Sequence, residues 1–366
     1  MALHTPLCDE HVDAGAKLCD FAGYDMPLYY KDGAIKEHMA VRERCGLFDV
    51  SHMGQIVTEG EGAAAFWERA TPSSFADTAI GVARYTVLLN EKGGIIDDLI
   101  VTRIAEKRFF AVINAGCKHK DVAHLRALLP SGVTLTELTD RALIAVQGPE
   151  AERAMQDALS LDLSELEYMR LAETGDLYVS RLGYTGEDGF EISVPSDRAA
   201  SLWRALASQP GVSLAGLAAR DGLRLEMGYP LYGHDVDDAT TPLEANLSWV
   251  VSKKNTTHIG AKALADQRAN GVAKKRVGIR FSGKTIAREG AEISDESGAV
   301  VGALTSGGFS PVLQCGIGQA YVPLALSAPG TSVSVAVRGK PYPATVCALA
   351  FLPSKTKTPS VRASIP

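Results

Sequence analysis

The stretch RYTVLLNEKGGIIDDLIVTRI (residues 84–104) sets two apolar runs on either side of Asn90, Glu91, Lys92, Gly93 and Gly94. Runs rich in Val, Ile, Leu and Thr, separated by a short turn containing glycine, read as the two arms of an antiparallel hairpin. LYVSRLGYTGEDGFEISV (177–194) has the same construction. By contrast, GAAAFWERA (62–70) and RAASLWRALAS (198–208) space their apolar residues for one face of a helix. Helices interleaved with antiparallel hairpins define an α+β fold.

From Arg276 the texture changes. RVGIRFSG, AVVGALTS, IGQAYVPL, SVSVAVRG and ATVCALAF are short strand patterns separated by Gly, Pro, Ser and Asp turns. They predict a separate all-β barrel or sandwich. The expected organisation is an α+β region over 1–275, a β domain over 276–355, and a tail over 356–366 with little to bury and so expected to be mobile.

A chain of 366 residues, 46% hydrophobic and 22% charged, can bury a large core. Its net charge of -6 and the lack of a dense Lys/Arg block argue against a nucleic-acid or anionic-membrane surface. No apolar run approaches the roughly 20 residues of a membrane helix, and the N-terminus has neither a secretory core nor an Arg-rich leader. A soluble cytoplasmic protein is expected from a bacterial source, or a mitochondrial-matrix one if a leader has been removed. The six cysteines form no C-x-x-C pair and have no His at zinc spacing, so buried reduced thiols and no metal are expected.

Within the first hairpin, Asp97 and Asp98 interrupt an apolar strand. Successive strand side chains point to opposite faces, so the two carboxylates diverge, and alternation alone leaves open which one faces inward. The glycine-rich segment GYTGEDG is a turn rather than a phosphate loop, because it lacks the G-x-G-x-x-G and G-x-x-x-x-G-K spacings and carries Glu187 and Asp188 at its centre. On the strand that follows, Phe190, Ile192 and Val194 share one face and Glu191 and Ser193 the other. Glu191 meets either solvent or a polar group; a fixed carboxylate there could accept two parallel hydrogen bonds from an amino-pyrimidine edge. Arg220 and Arg224, with Asp221 and Glu226, read as ordinary ion pairs on a helix surface. Tyr85, Tyr168, Tyr184, Tyr229 and Tyr232 either stack on a flat ligand or simply pack. His52 has no nucleophile elbow and no H-E-x-x-H partner, and reads as structural.

Taken together and in order, FAGYDMPLYY, GLFDVSHMG, NEKGGIIDDLIV, VINAGC, ALIAVQGP, GYTGEDGFEISV, AGLAARDGLRLEMG, TTPLEANLSWVV and TSGGFSP resemble the aminomethyltransferase (T-protein) family of the glycine cleavage system. The resemblance runs from Thr5 to about Pro353. It implies a multi-domain cloverleaf, with two intertwined α+β subdomains and a C-terminal β-barrel around a folate pocket. It also implies transfer of the methylene of an S-aminomethyl-dihydrolipoyl H-protein to tetrahydrofolate as substrate, with release of ammonia. On that resemblance Asp98 is the catalytic carboxylate, Glu191 and Arg220 bind the pterin, and Tyr85, Asn114, Tyr184 and Met53 line the pocket. For Met53 and Tyr168 core packing is an equal reading. The final segment offers Lys355, Lys357 and Arg362 either to a folate carboxylate or to solvent.

The same family of folds includes folate-dependent demethylases and non-catalytic folate-binding paralogues. The intact GGIIDDLIV argues against a binder without catalysis, and unaltered DVSHMG and GYTGEDGFE argue against a demethylase.

Overall fold

A computed structural model describes residues 2–357. The hairpin of 84–104 forms as read, with Ala83–Leu89 and Ile95–Ala105 pairing antiparallel. Its turn is built by Asn90: the side-chain oxygen accepts the N–H of Lys92 (2.9 Å) and of Gly94 (3.0 Å), and Gly93 takes φ 80°. Gly94 is required by close approach, since a Cβ there would lie 1.8 Å from the Asp238 carbonyl oxygen. Gly94→Ala is therefore expected to displace the turn and cost about 1–3 kcal/mol, as overpacked sites do, read as a lower melting temperature.

The hairpin continues into a five-stranded antiparallel sheet in the order Ala83–Leu89, Ile95–Ala105, Arg108–Ile113, Gly54–Glu59, Thr134–Glu137. A six-stranded sheet runs Arg170–Thr174, Leu177–Arg181, Gly189–Pro195, Arg141–Gln147, Cys45–Asp49, Val212–Leu214, with only its last pair parallel. Each sheet buries one face under helices. Leu99, Val101 and Phe109 pack on Phe66 and Trp67 of helix Ala63–Ala70 and on Val122 and Leu125 of helix Lys118–Leu128. Phe190, Ile192 and Val194 pack on Met155 of helix Ala151–Leu159 and Trp203 of helix Ser196–Ala207. The opposite faces of the two sheets meet each other: Ser193 Oγ donates to Gln55 Oε1 (2.5 Å), and the Tyr178 and Phe110 rings lie 5.0 Å apart.

The C-terminal β domain is a closed six-stranded barrel, ordered Lys274–Phe281, Cys315–Pro323, Val300–Ser310, Glu292–Ser294, Ser332–Val337, Lys340–Cys347. Closure leaves no unpaired edge, and Val277, Ile279, Ile293, Leu304, Val335 and Val346 fill the interior. ATVCALAF is strand only to Cys347; beyond it the chain leaves the barrel, and Phe351 packs on Leu225, Cys315 and Ile317 while its N–H bonds the Glu226 carbonyl (2.9 Å).

The ion pairs read as belonging to a helix surface are instead largely buried. On helix Leu217–Glu226, only Asp221 stays exposed. Arg224 donates to Asp221 (2.8 Å), to Asp235 (2.7 Å) and to Ser306 of the barrel (2.9 Å). Glu226 accepts Arg42 Nη2 (2.7 Å) and Nε (3.0 Å), lies 2.9 Å from His38 Nε2, and takes the hydroxyl of Ser310 (2.5 Å). The barrel covers this helix face, and local charge spacing carries no information about a cover that arrives eighty residues later.

The tail is also not free where it is described. Lys355 N–H bonds the Gly186 carbonyl (2.8 Å) and its Nζ lies 3.2 Å from Glu187; Lys357 Nζ donates to the Ser164 carbonyl (2.8 Å) and its own carbonyl accepts Tyr168 N–H (3.1 Å). Residues 358–366, with Arg362, lie outside the described residues. All six cysteines are free; Cys19 and Cys347 are partly exposed and the others buried. Among the described residues no helix is long and apolar enough to cross a membrane.

Candidate active site

The two aspartates are separated by the cover on each face of their sheet. Asp97 shares the face of Leu99 and Val101, beneath helix Lys118–Leu128, and is fully buried. Asp98 shares the face of Ile100, which with Thr102 and Val112 opposes Leu143, Ser180 and Glu191 across a narrow gap between the sheets. Val87 lies directly across from Asp98, and Tyr85 across from Ile100, so Tyr85 stands on the Asp98 face.

Asn114, just past strand Arg108–Ile113, joins the two carboxylates. Its Nδ2 lies 2.9 Å from Asp97 Oδ1 and 3.0 Å from both Asp98 Oδ1 and the Asp98 carbonyl, while its backbone N–H reaches Asp97 Oδ2 (3.3 Å). Burial, and then the Asp97 charge, push the Asp98 carboxyl up to about 7, against the opposing pull of the Tyr85 and Asn114 donors. The Tyr85 hydroxyl is buried and approaches Asp98 without closing a hydrogen bond of ordinary geometry.

Across the gap, alternation on strand Gly189–Pro195 sends Phe190 and Ile192 to the helix side and Glu191 to the sheet interface. Burial raises the Glu191 carboxyl, with the Arg220 charge opposing. Arg220 places its guanidinium 4.9 Å from the centre of the Tyr184 ring, and its Nη1 is buried with no hydrogen-bond partner. Tyr184 stacks on Tyr229 (5.7 Å, 24°) and donates its hydroxyl to the Pro230 carbonyl. A buried guanidinium N–H without an acceptor costs free energy unless a ligand supplies one.

Met53 packs against the cluster that holds Val50, Leu143, Ala219 and Leu223, as does Val112 of the other sheet. His52 is buried edge-on to Phe21 (5.4 Å), its Nδ1 unpartnered; burial, aided by the Arg220 and Lys118 charges and opposed by Asp49, lowers it to about 4, so the imidazole is neutral. The acids of GYTGEDG face cations rather than open solvent: Glu187 accepts Arg42 (3.0 Å) and Asp188 accepts Arg181.

Sequence reasoning passed over two features. A groove of about 500 Å³ opens beside Tyr85, lined by Arg84, Met169, Trp249, Lys253 and Lys254. The Trp249 ring lies 5.5 Å from that of Tyr85 and is 65% exposed; a pairing across 164 residues leaves no mark in local spacing. The second is Asp121, whose carboxyl lies behind Asp97. It sits in an unremarkable amphipathic helix, KHKDVAHLRAL, and nothing in that pattern distinguishes it from a solvated charge.

A carboxyl raised towards neutrality, an amide donor shared by two carboxylates, and the Glu191, Arg220 and Tyr184 group supply the chemistry that orients a flat, polar-edged heterocycle and stabilises cationic charge. Two sheets, each covered by helices on one face, carry these residues, with an antiparallel barrel packed beside them. The chain matches the family models of the GCVT N-terminal domain over residues 7–255 and of the glycine cleavage T-protein C-terminal barrel domain over residues 274–352. It belongs to the T-protein, or aminomethyltransferase, family of the glycine cleavage system. It is 41% identical to the mitochondrial aminomethyltransferase of Flaveria trinervia, over 97% of this chain and 91% of that one. It is 42% identical to the aminomethyltransferase of Picosynechococcus sp., over 96% and 99%. The crystal structure of the glycine cleavage system aminomethyltransferase T from Bartonella henselae superposes with a TM-score of 0.94 at 41% identity, covering 97% of this chain and 99% of that one.

Proposed function

We propose that this chain transfers the methylene group of an S-aminomethyl-dihydrolipoyl H-protein to tetrahydrofolate, releasing ammonia. In that reaction two C–N bonds form, to folate N5 and N10. The C–N bond to ammonia and the C–S bond to the lipoyl arm break, and the two folate amine protons end on ammonia and the thiol. The 1–275 region would hold the folate, with the pterin between Glu191 and Arg220 and its amines towards Asp98. Tyr85, Asn114, Tyr184 and Met53 would wall the pocket. The observation that carries this reading is the buried, acceptor-less Arg220 Nη1, whose charge acts on Glu191 and, together with that of Asp98, on Tyr184.

Asp98 acts in this reading as an anion that orients the folate amines and stabilises iminium-like charge, accepting a proton as the amine attacks. The setting in this reading is a bacterial cytoplasm or a mitochondrial matrix; one relative is named mitochondrial and another is bacterial.

The decisive experiment is turnover with tetrahydrofolate and aminomethylated H-protein, set beside methylated sulfur and amine donors. Ammonia with methylenetetrahydrofolate supports the proposal; methyltetrahydrofolate would make the protein a demethylase. Glu191→Ala is expected to weaken tetrahydrofolate binding about 10- to 100-fold by calorimetry, the loss of a charge-assisted hydrogen-bonded partner. An unchanged affinity would remove Glu191 from the pterin site.

A further inference from the structure

Asp97 and Asp121 are both fully buried, and with Cys117 their donor atoms lie within 4.8 Å of one another. The oxygens of Asp97 are engaged as acceptors, both by Asn114. Neither oxygen of Asp121 has a hydrogen-bond partner. The nearest cation does not resolve this, because Lys120 Nζ is committed to the Ile96 carbonyl (2.6 Å) and the Tyr232 hydroxyl (2.5 Å).

Two adjacent ionised carboxylates in a dry site repel strongly, and one of them takes a proton. The choice follows from the donors. Asp97 already receives N–H groups that favour its anion; Asp121 receives none and can satisfy itself only by donating. We propose that Asp121 is a positioning residue: as a neutral acid it donates its proton to Asp97, which stays a carboxylate, grips Asn114, and so aims the Asn114 amide at Asp98.

The chain of contact is short: Asp121 to Asp97, Asp97 to Asn114, Asn114 Nδ2 to Asp98 Oδ1 at 3.0 Å. The elevated Asp121 carboxyl, pushed to about 10 by burial and then by the hydrogen bond and charge of Asp97, agrees with this direction. The other titratable groups around the pair are Cys117, whose thiol is raised by burial and then by Asp97, Lys120, Tyr232 and Asp98. The proposal rests on the reading of Asp98 as the working carboxylate.

Asp121→Leu removes the donor that fixes the Asp97 carboxylate. The two-point hold on Asn114 loosens, and the Asp97 charge, no longer drawn onto that donor, acts more fully on Asp98. The expected result is a kcat lowered about tenfold or more through misplacement, with the acid limb of the pH–kcat profile moved to higher pH. Asp121→Asn, whose amide N–H replaces the acid proton, is expected to restore the wild-type profile. A folded Asp121→Leu with an unshifted limb, or Asp121→Asn as impaired as Asp121→Leu, would overturn the proposal.

Infrared difference spectroscopy of wild type against Asp121→Asn at neutral pH gives a readout independent of turnover and of whether Asp121→Leu folds. A protonated-carboxyl band present in the wild type and lost in the variant is expected; its absence overturns the proposal, as does a stoichiometric divalent cation in the purified protein that Asp121→Asn loses. Absence of wild-type aminomethyl transfer would instead sink the reading of the site while leaving the infrared result to stand.

Discussion

Asp98→Asn is expected to lower kcat for ammonia release by about 10²–10⁴-fold, the range for removal of a positioned acid–base group, while tetrahydrofolate affinity stays close to wild type. The amide keeps the shape and the Asn114 contact but cannot carry the anion that cationic charge on the folate requires. The pH profile makes the same point. With the Asp98 carboxyl raised to about 7 by burial and then by Asp97, its anionic fraction grows as pH rises, so wild-type kcat should climb through about pH 7 and level above it. The residual activity of Asp98→Asn should lack that limb. Asp97→Asn should be milder, since Asp97 acts only through Asn114. Full activity in Asp98→Asn with loss in Asp97→Asn would reverse the assignment.

The second large effect concerns stability. Arg42→Met is expected to destabilise the protein by about 3–5 kcal/mol, because it leaves buried Glu226 and Glu187 without their guanidinium. Arg42 is 7% exposed, and donates also to the Thr185 carbonyl (2.7 Å), so no solvent replaces it. A cost below about 1 kcal/mol in denaturant unfolding would mean that the cluster behaves as exposed ion pairs do. The sign with pH follows from Glu226. Burial raises its carboxyl, but the His38 hydrogen bond and charge and the Arg42 charge outweigh it, and the net shift is down. Its contribution to stability is therefore present above the ordinary carboxylate range and lost as pH falls through the lowered folded-state value. In Arg42→Met the folded-state value lies closer to the ordinary one, so that acid loss should be smaller and complete at a higher pH.

Much of the fold is legible because its signals are local. Alternation with a glycine turn marks both hairpins, helical spacing marks Ala63–Ala70 and Ser196–Ala207, and the strand-and-turn texture after Arg276 marks an all-β domain, barrel or sandwich, which closes as a barrel. The same alternation correctly sends Phe190 and Ile192 to one side and Glu191 to the other. Where the reading failed, the missing information was long-range. Arg224 and Glu226 looked solvated because Ser306 and Ser310, which cover them, arrive on a different domain. Lys355 and Lys357, at the end of the described chain, meet Glu187 and Ser164 of the α+β region, partners that local spacing does not announce.

The aspartate pair shows the division most clearly. Backbone geometry alone requires Asp97 and Asp98 to point apart, whatever surrounds them, because the strand repeat is two residues. Which one works cannot be read at that level, since both faces of the strand are flanked by apolar residues. The packing of helix Lys118–Leu128 on one face and of the opposing sheet on the other makes Asp97 a dry partner of Asn114 and Asp121, and leaves Asp98 on the face of Ile100, which meets that sheet. Residue order dictates direction; only the layers that close over a strand dictate environment, and the acidity and reach of a carboxylate depend on environment.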